Sequence, residues 1–493
     1  MLQKSSTPEY FLILKVSLLG ILLIQAAHAA GQTPNSNYPD APSSTSSSPQ
    51  MNSPSTLSSG QNPFAGSVPQ GKVSSEALPL SFLDAINRGL KNNLGVLLQS
   101  NATLTARGQR WKELGDLLPN LSAQVSENVA QDNLAARGLR FPGFPTVVGP
   151  YGFFDARVYL KQSVLDFAVL ERVRAATANE QAAQYSYKDA RDLVVLATGN
   201  AYLQALAGTA RVETSTAQVE TAQALYDKAE DQRRAGVIPA IDALRAKVEL
   251  QNRQQQAIVA RNDYAKQKLT LGRIIGLPGG QEITLTDQAP YEPLATLGLE
   301  EDLQRAFLSR SDYLAAAAQV RAAEHSHRAA KAEYLPSISM NANYGDLGIT
   351  PGQSHGTFEA AANLNVPIFQ GKNHADVLQA EATLHNSQQQ LENLRAQIEY
   401  DVRVALLDLS AAAEQVEVAR SSVDLANQTV VQARDRFSAG VVDNLEVIQA
   451  QEALASANES YISSLYAHNL AKVELAHAIG FAEEGVKQYL RGK

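Results

Sequence analysis

Leu118-Pro119-Asn120-Leu121-Ser122 returns later in the chain as Leu335-Pro336-Ser337-Ile338-Ser339. Two further echoes follow in the same order. Ala235-Gly236-Val237 returns as Ala439-Gly440-Val441, and Ile275-Gly276-Leu277 as Ile479-Gly480-Phe481, with one spacing shared by these later pairs. Self-similarity in a fixed order marks a duplicated unit. The Leu-Pro pair lies slightly farther apart, so the first copy holds extra residues. They fall between Val129 and Phe154, where Gly138, Pro142, Gly143, Pro145, Gly149 and Pro150 predict an irregular exposed loop.

Within each copy the order reads helix, strand, loop, strand, long helix, turn, helix. From His374 to Ala439 there is no Gly or Pro, and a helix of that length is on the order of 100 Å long, too long for a compact domain. Val377, Leu384, Leu391 and Ile398 recur every seventh residue, as a coiled-coil seam requires. The first-copy counterpart, about 168–235, is interrupted by Gly199 and Gly208. After Gly236 and Gly440 the helical pattern resumes, so each glycine is placed to cap one helix and turn the chain into an antiparallel hairpin.

The strands alternate with period two. Phe154, Ala156, Val158, Leu160, Gln162 and Val164 share one face, against Asp155, Arg157, Tyr159, Lys161 and Ser163. At the repeat spacing Phe358, Ala360, Ala362, Leu364, Val366 and Ile368 stand opposite Glu359, Ala361, Asn363 and Asn365. The other pair keeps the phase: Leu121, Ala123, Val125 and Val129 match Ile338, Met340 and Ala342, opposite Ser122, Gln124, Ser126, Ser337, Ser339, Asn341 and Asn343, with Glu127 as the exception. Any one such strand predicts an ordinary sheet over a core. Four of them in phase, each of ~10 residues, predict a transmembrane barrel with a polar lumen. Four strands cannot enclose a lumen, since ~8 only just make a filled barrel, so several chains must share it. Three chains would give twelve strands.

The remaining chain divides as follows. Lys4 and Lys15 flank an apolar run from Val16 to Ile24, with Ala27-His28-Ala29 behind it, so 1–30 reads as an export signal. Residues 31–76, rich in Ser, Pro, Asn and Gln, read as a disordered tail. The first repeat is placed at 77–280, a linker at 281–299, the second repeat at 300–484 and a tail at 485–493. No other segment reads as long and apolar enough to span a bilayer as a helix.

Composition excludes several functions. A net charge of −8, with Lys and Arg interleaved among acids, offers no basic stripe for nucleic acid. Without cysteine the chain has no disulfide, thiolate metal site or lipidated N-terminal cysteine. Gly66 to Gly71-Lys72 has phosphate-loop spacing, yet Val73 replaces the Ser or Thr and no strand precedes it. In Glu324-His325-Ser326-His327 the histidines point to different faces of a helix, which argues against a shared ion. Trp111 reads as a packing residue. No protease, nucleophile-elbow or nucleotide-binding fingerprint appears, so neither an enzyme nor a cofactor is expected.

On these residues the chain resembles the TolC family of outer-membrane efflux proteins. The carriers are the strand entries at Pro119 and Pro336, the exit Val366-Pro367-Ile368-Phe369-Gln370-Gly371, and the turns Arg234-Ala235-Gly236-Val237 and Phe437-Ser438-Ala439-Gly440-Val441. The resemblance covers roughly residues 78 to 484. It implies a homotrimer, mixed α and β, with a twelve-stranded barrel in outer-membrane lipid continued by a helical coiled-coil barrel across the periplasm. It also implies docking onto a periplasmic adaptor, a membrane fusion protein, and an inner-membrane transporter of the RND, ABC or MFS type, in drug efflux, metal efflux or type I secretion. Energy would come from that transporter.

The resemblance further implies acidic residues at the periplasmic entrance, here Asp242 and Glu446, six residues past each turn glycine. Both also sit where a first helical turn favours a carboxylate. Where some members carry a basic residue and a second acid, this chain has Val442 and Gln449. The turns at Gly236, Val237, Gly440 and Val441 are the candidate adaptor-docking tips. Asp155, Arg157, Tyr159, Lys161, Asn341, Asn343, Glu359, Asn363 and Asn365 are the candidate lumen face. An exported coiled-coil adaptor or surface fibre without a pore is the competing reading.

Overall fold

A computed structural model describes residues 62–139, 142–287, 291, 298–439, 441–442 and 444–489. The export signal 1–30, most of the tail and Gly440 lie outside the described residues. In chain order the elements are β1 (Leu78–Leu80), α1 (Phe82–Asn92), α2 (Leu94–Gly115), β2 (Asn120–Asn133), β3 (Val147–Leu165), α3 (Phe167–Arg234) and α4 (Ala240–Ile275). Then come β4 (Ile283–Leu285), α5 (Leu299–Ser309), α6 (Ser311–Ala332), β5 (Ser337–Gly348), β6 (Ser354–Asn365), α7 (Gly371–Ser438), α8 (Asn444–Ala478) and α9 (Ala482–Tyr489). The described residues fall within one unit, Leu57–Lys493.

The duplication is plain in the lengths. α3 and α7 each run 68 residues, and the helices that return from their far ends run 36 and 35. A return helix of half the length can pair with only half of the long one, so the helices form two storeys. Away from the strands the neighbours run α4-α3-α8-α7, and beside the strands α2-α3-α6-α7. The sheet above has the order β2-β3-β5-β6, antiparallel throughout. Each strand therefore continues into the helix that keeps its place in the row.

Local chemistry fixes the joints. The Asp166 side chain caps α3 by accepting from the Val169 N–H at 3.0 Å, and Ser81 and Asn93 cap α1 and α2 likewise. Gly276, at φ 78°, ends α4 in the left-handed conformation that suits glycine.

Where the storeys meet, a collar of buried residues packs around mid-α3 and upper α8. Leu80, Tyr202, Ala205, Leu271 and Ile275 form one cluster, Ile86, Val194, Val195 and Val473 a second, and Leu303, Ile398, Val402, Leu409 and Ile479 a third. The Tyr202 hydroxyl bonds the Leu80 carbonyl at 3.1 Å and Asp287 at 3.0 Å.

Several expectations need correction. α3 does contain an 18-residue window apolar enough to cross a membrane, contrary to the sequence reading, because that stretch is the collar's core and is 56% buried in protein. The loop expected over 130–153 is shorter than that, because β2 runs on to Asn133 and β3 starts at Val147. Gly149 and Pro150 are absorbed at a bulge between Ala130 and Asp132, beyond the reach of β5, so the missing proline N–H breaks no ladder.

The stretch 281–299 holds β4, which pairs in parallel with β1. The part of the tail that is described, from Asn62, is tied to the collar: Val68 N–H bonds the Asn92 carbonyl at 2.9 Å, Gln70 N–H the Gly276 carbonyl at 3.0 Å, and Phe64 joins the second cluster. Its polar composition hid a strap held through backbone groups.

Candidate functional site: a polar sheet face and two helical tips

Register decides which side chains share a face. Lys161 stands between Asn120 and Asn341, Tyr159 between Ser122 and Asn343, and Arg157 between Gln124 and Gly345, while Asn343 faces Glu359. Asn363 pairs with Ser339 and Asn365 with Ser337. All nine candidate lumen residues therefore lie on one face of one sheet.

Their contacts are with each other. Arg157 makes a two-pronged ion pair with Asp155, with Nε at 2.7 Å from Oδ1, and lies 5.5 Å from the centre of the Tyr159 ring. Asn343 Nδ2 donates to Glu359 at 3.3 Å. Opposite Arg157 stands Gly345, where a Cβ would collide with the Ala156 carbonyl oxygen. The glycine makes room for the neighbouring strand.

The other face carries Leu121, Val125, Val158, Tyr344, Phe358 and Leu364 with nothing over them; Phe358 is 78% exposed and Val125 70%. A continuous bare apolar face is not what a water-facing sheet presents.

At the tips, Gly236 takes φ 75°. Its N–H bonds the Arg233 carbonyl at 3.0 Å and that of Val237 bonds the Gln232 carbonyl at 2.9 Å, the paired bonds of a glycine-capped helix end. At the second tip Val441 N–H bonds the Arg436 carbonyl at 3.0 Å. Val237 and Val441 are both exposed. Lys228 lies 5.6 Å from the Phe437 ring centre and Leu225 packs on Val430, Phe437 and Val447, so the tips stand side by side.

The two acids do occupy first helical turns, of α4 and α8, but with different partners. Asp242 meets Arg245 of its own helix at 3.3 Å, while Glu446 meets Arg436 of the preceding helix at 2.7 Å. Arg436 was missed in the sequence; opposite charges flanking a turn were the available signal.

His325 Nδ1 lies 2.7 Å from Glu171 Oε2 on α3, and among the described residues no three His, Asp or Glu are grouped to hold a metal ion. Trp111, expected to pack, is 60% exposed on α2.

The collar holds a charged knot that sequence reading also missed. Arg310 is buried and clamps Asp312 at 2.7 Å and Asp401 at 3.2 Å. Beside it Arg191 grips Glu483 of α9 at 2.8 and 3.0 Å. Burial pushes the neighbouring Asp192 up to about 7, against a backbone bond from Glu483 that favours its charged form.

The profile of a family described as "Outer membrane efflux protein" matches residues 116–277 and 303–481, more than half of the chain and in two pieces that end at the equivalent Leu277 and Phe481. Over 420 residues, 80% of this chain and 82% of the relative, the sequence is 27% identical to a probable efflux pump outer membrane protein, TtgC, of Pseudomonas putida. It is 22% identical over 422 residues to the alkaline protease secretion protein AprF of Pseudomonas aeruginosa, covering 83% of this chain and 86% of that one. The fold matches the crystal structure of the Campylobacter jejuni CmeC outer membrane channel with a TM-score of 0.71 at 17% identity, covering 92% of this chain and 97% of that one.

Proposed function

The chain belongs to the outer membrane efflux protein family, and from that premise we propose that three copies close into one passive channel, a twelve-stranded barrel in the outer membrane continued by a tube of helices in the periplasm. As an efflux or secretion channel it conducts substrate outward and performs no chemistry on it. One observation carries the reading of the barrel: a four-stranded sheet with an exposed apolar face, a polar face, and two unpaired edges, β2 and β6.

In lipid an unpaired strand edge leaves N–H and C=O groups unsatisfied, at several kcal/mol each, so β6 of one copy pairs with β2 of the next until the ring closes. The helices carry the same asymmetry. On the outer helix α4, Ile241, Leu244, Val248, Ile258 and Leu269 are exposed at spacings built from threes and fours; on α7, at the other end of the row, Tyr400, Leu407, Val418 and Leu425 are exposed likewise. These are coiled-coil seams without a partner in one copy. Different edges meeting head to tail produce a ring.

The lumen is then the face bearing Asp155, Arg157, Tyr159, Lys161, Asn341, Asn343, Glu359, Asn363 and Asn365. The far end is the set of tips, with Asp242 and Glu446 at the entrance and Val237 and Val441 offered to a periplasmic adaptor. An inner-membrane RND, ABC or MFS transporter supplies the energy. The names of relatives divide between efflux and protease secretion, and both cargoes suit a passive tube.

A pore-free coiled-coil adaptor would account for the hairpins and leave the apolar sheet face without a purpose. Electrophoresis of detergent-extracted protein separates the two readings. The channel runs as a trimer that collapses to monomer on boiling; a monomer that needs no detergent to stay in solution would reject it.

A further inference from the structure

At the height where strands give way to helices, both edges of the protomer carry large exposed apolar side chains. On one edge β6 ends at Asn365 and the chain enters α7 through Val366-Pro367-Ile368-Phe369; Ile368 is 96% exposed and Phe369 89%. On the other edge Leu104 and Trp111 lie one heptad apart on α2, and Leu118 continues the interval two residues before β2 begins. All three are exposed, and a Cβ on Gly108 or Gly115, one turn either side of Trp111, would meet nothing within 4 Å.

We infer that Ile368 and Phe369 of one copy seat against Trp111 and Leu118 of the next, making an apolar clasp that seals the seam between copies at the barrel–helix junction. The inference rests on the head-to-tail ring proposed above, and the chain direction leads to it. β2 runs away from the helices and β6 runs back toward them, so pairing them is antiparallel. It sets the residues entering β2 beside those leaving β6, one strand spacing of ~5 Å apart. With the stagger of a closing barrel small at this seam, Leu118 and Ile368 come together.

The helices directly below repeat the arrangement, since α2 and α7 are the outer members of the row beside the strands. Both edges are bare in a single copy, and each supplies what the other lacks: protruding side chains on one, a tryptophan between open glycine steps on the other.

Outer-membrane lipid is the competing occupant, because aromatic residues favour the bilayer interface. Lipid lies on one side of a barrel wall. Consecutive residues point different ways, so lipid would cover only one of Ile368 and Phe369, whereas both are almost wholly exposed. A neighbouring copy packed on the edge covers both.

Trp111 is the only tryptophan and the chain has no cysteine, so both probes are free of background. Isolated trimer carrying Trp111→Cys together with Phe369→Cys is oxidised mildly and run under denaturing conditions. Covalent dimers and trimers are expected from the double variant and from neither single variant. In the unaltered trimer, placed in nanodiscs of brominated phosphatidylcholine, Trp111 emission should be quenched little, and Phe369→Ala should shift it to longer wavelength. Strong quenching by the brominated lipid, in a trimer that forms no cross-link, would overturn the clasp and leave the ring intact. Absence of any trimer in the unaltered protein would overturn the ring, and the clasp with it.

Discussion

Arg436, in the last turn of α7, reaches over the second tip to place Nη1 2.7 Å from Glu446 Oε1 in the first turn of α8, whereas Asp242 at the first tip is held by Arg245 of its own helix at 3.3 Å. The Glu446 pair braces the second tip across its turn, and the Asp242–Arg245 pair lies within α4. In the proposed ring of three copies the entrance would hold six carboxylates, each beside an arginine, so removing the acids would leave the arginine charges unbalanced and disfavour cations. Replacing both with Ala should lower the cation-over-anion permeability ratio, measured from the reversal potential across a salt gradient. An unchanged ratio would leave helix capping as their whole role.

The sheet's two faces should respond oppositely to the same change. Val158→Arg or Leu364→Arg places a cation in lipid at a cost of ~2–4 kcal/mol and should deplete assembled trimer. Asn363→Arg, on the polar face, should assemble normally. Equal tolerance at the three positions in a trimer assay would mean that the apolar face does not meet lipid.

The turn joining β2 to β3 lies at the end of the sheet away from the helices, with Ala136 N–H bonded to Asn133 Oδ1 at 3.1 Å. A cysteine at Ala136 would be the only one in the chain. An impermeant thiol reagent should label it on intact cells, and protection there would invert the orientation.

Asp192 links the collar to pH. Burial raises its carboxyl from 3.8 to about 7, so between those values the folded chain holds a proton that the unfolded chain releases. The stability contributed by this group is full below the unfolded value and is lost as pH rises through about 7. Asp192→Asn keeps an acceptor for the Glu483 N–H and removes that loss. Its melting midpoint should exceed that of the unaltered protein at pH 8 and match it at pH 4. A shift of equal size at both would assign the effect to packing.

Much of this was legible because periodicity is a local property. The parity of Phe154 to Val164 and of Phe358 to Leu364 required only counting by twos, though β6 stops at Asn365 and leaves Val366 and Ile368, expected on the same face, outside the strand; the helix after His374 required only the absence of Gly and Pro. What stayed hidden depends on distant partners. Nothing in the residues after Gly276 says that α4 stops halfway and hands the upper storey to α2 and α6. Val68 and Gln70 dock through backbone groups, which composition does not register. Arg436 meets Glu446 only once the turn has formed, and Asp192 acquires its raised pKa only when the collar closes over it.

The central claim, a passive pore built by several copies, is tested most directly by adding purified trimer to a planar lipid bilayer with no nucleotide and no partner protein. Discrete conductance steps of one unit size are expected, with cation preference in a salt gradient. A trimer that enters the bilayer and leaves it electrically silent, even after Arg436→Ala and Glu446→Ala release the braced tip, would contradict it.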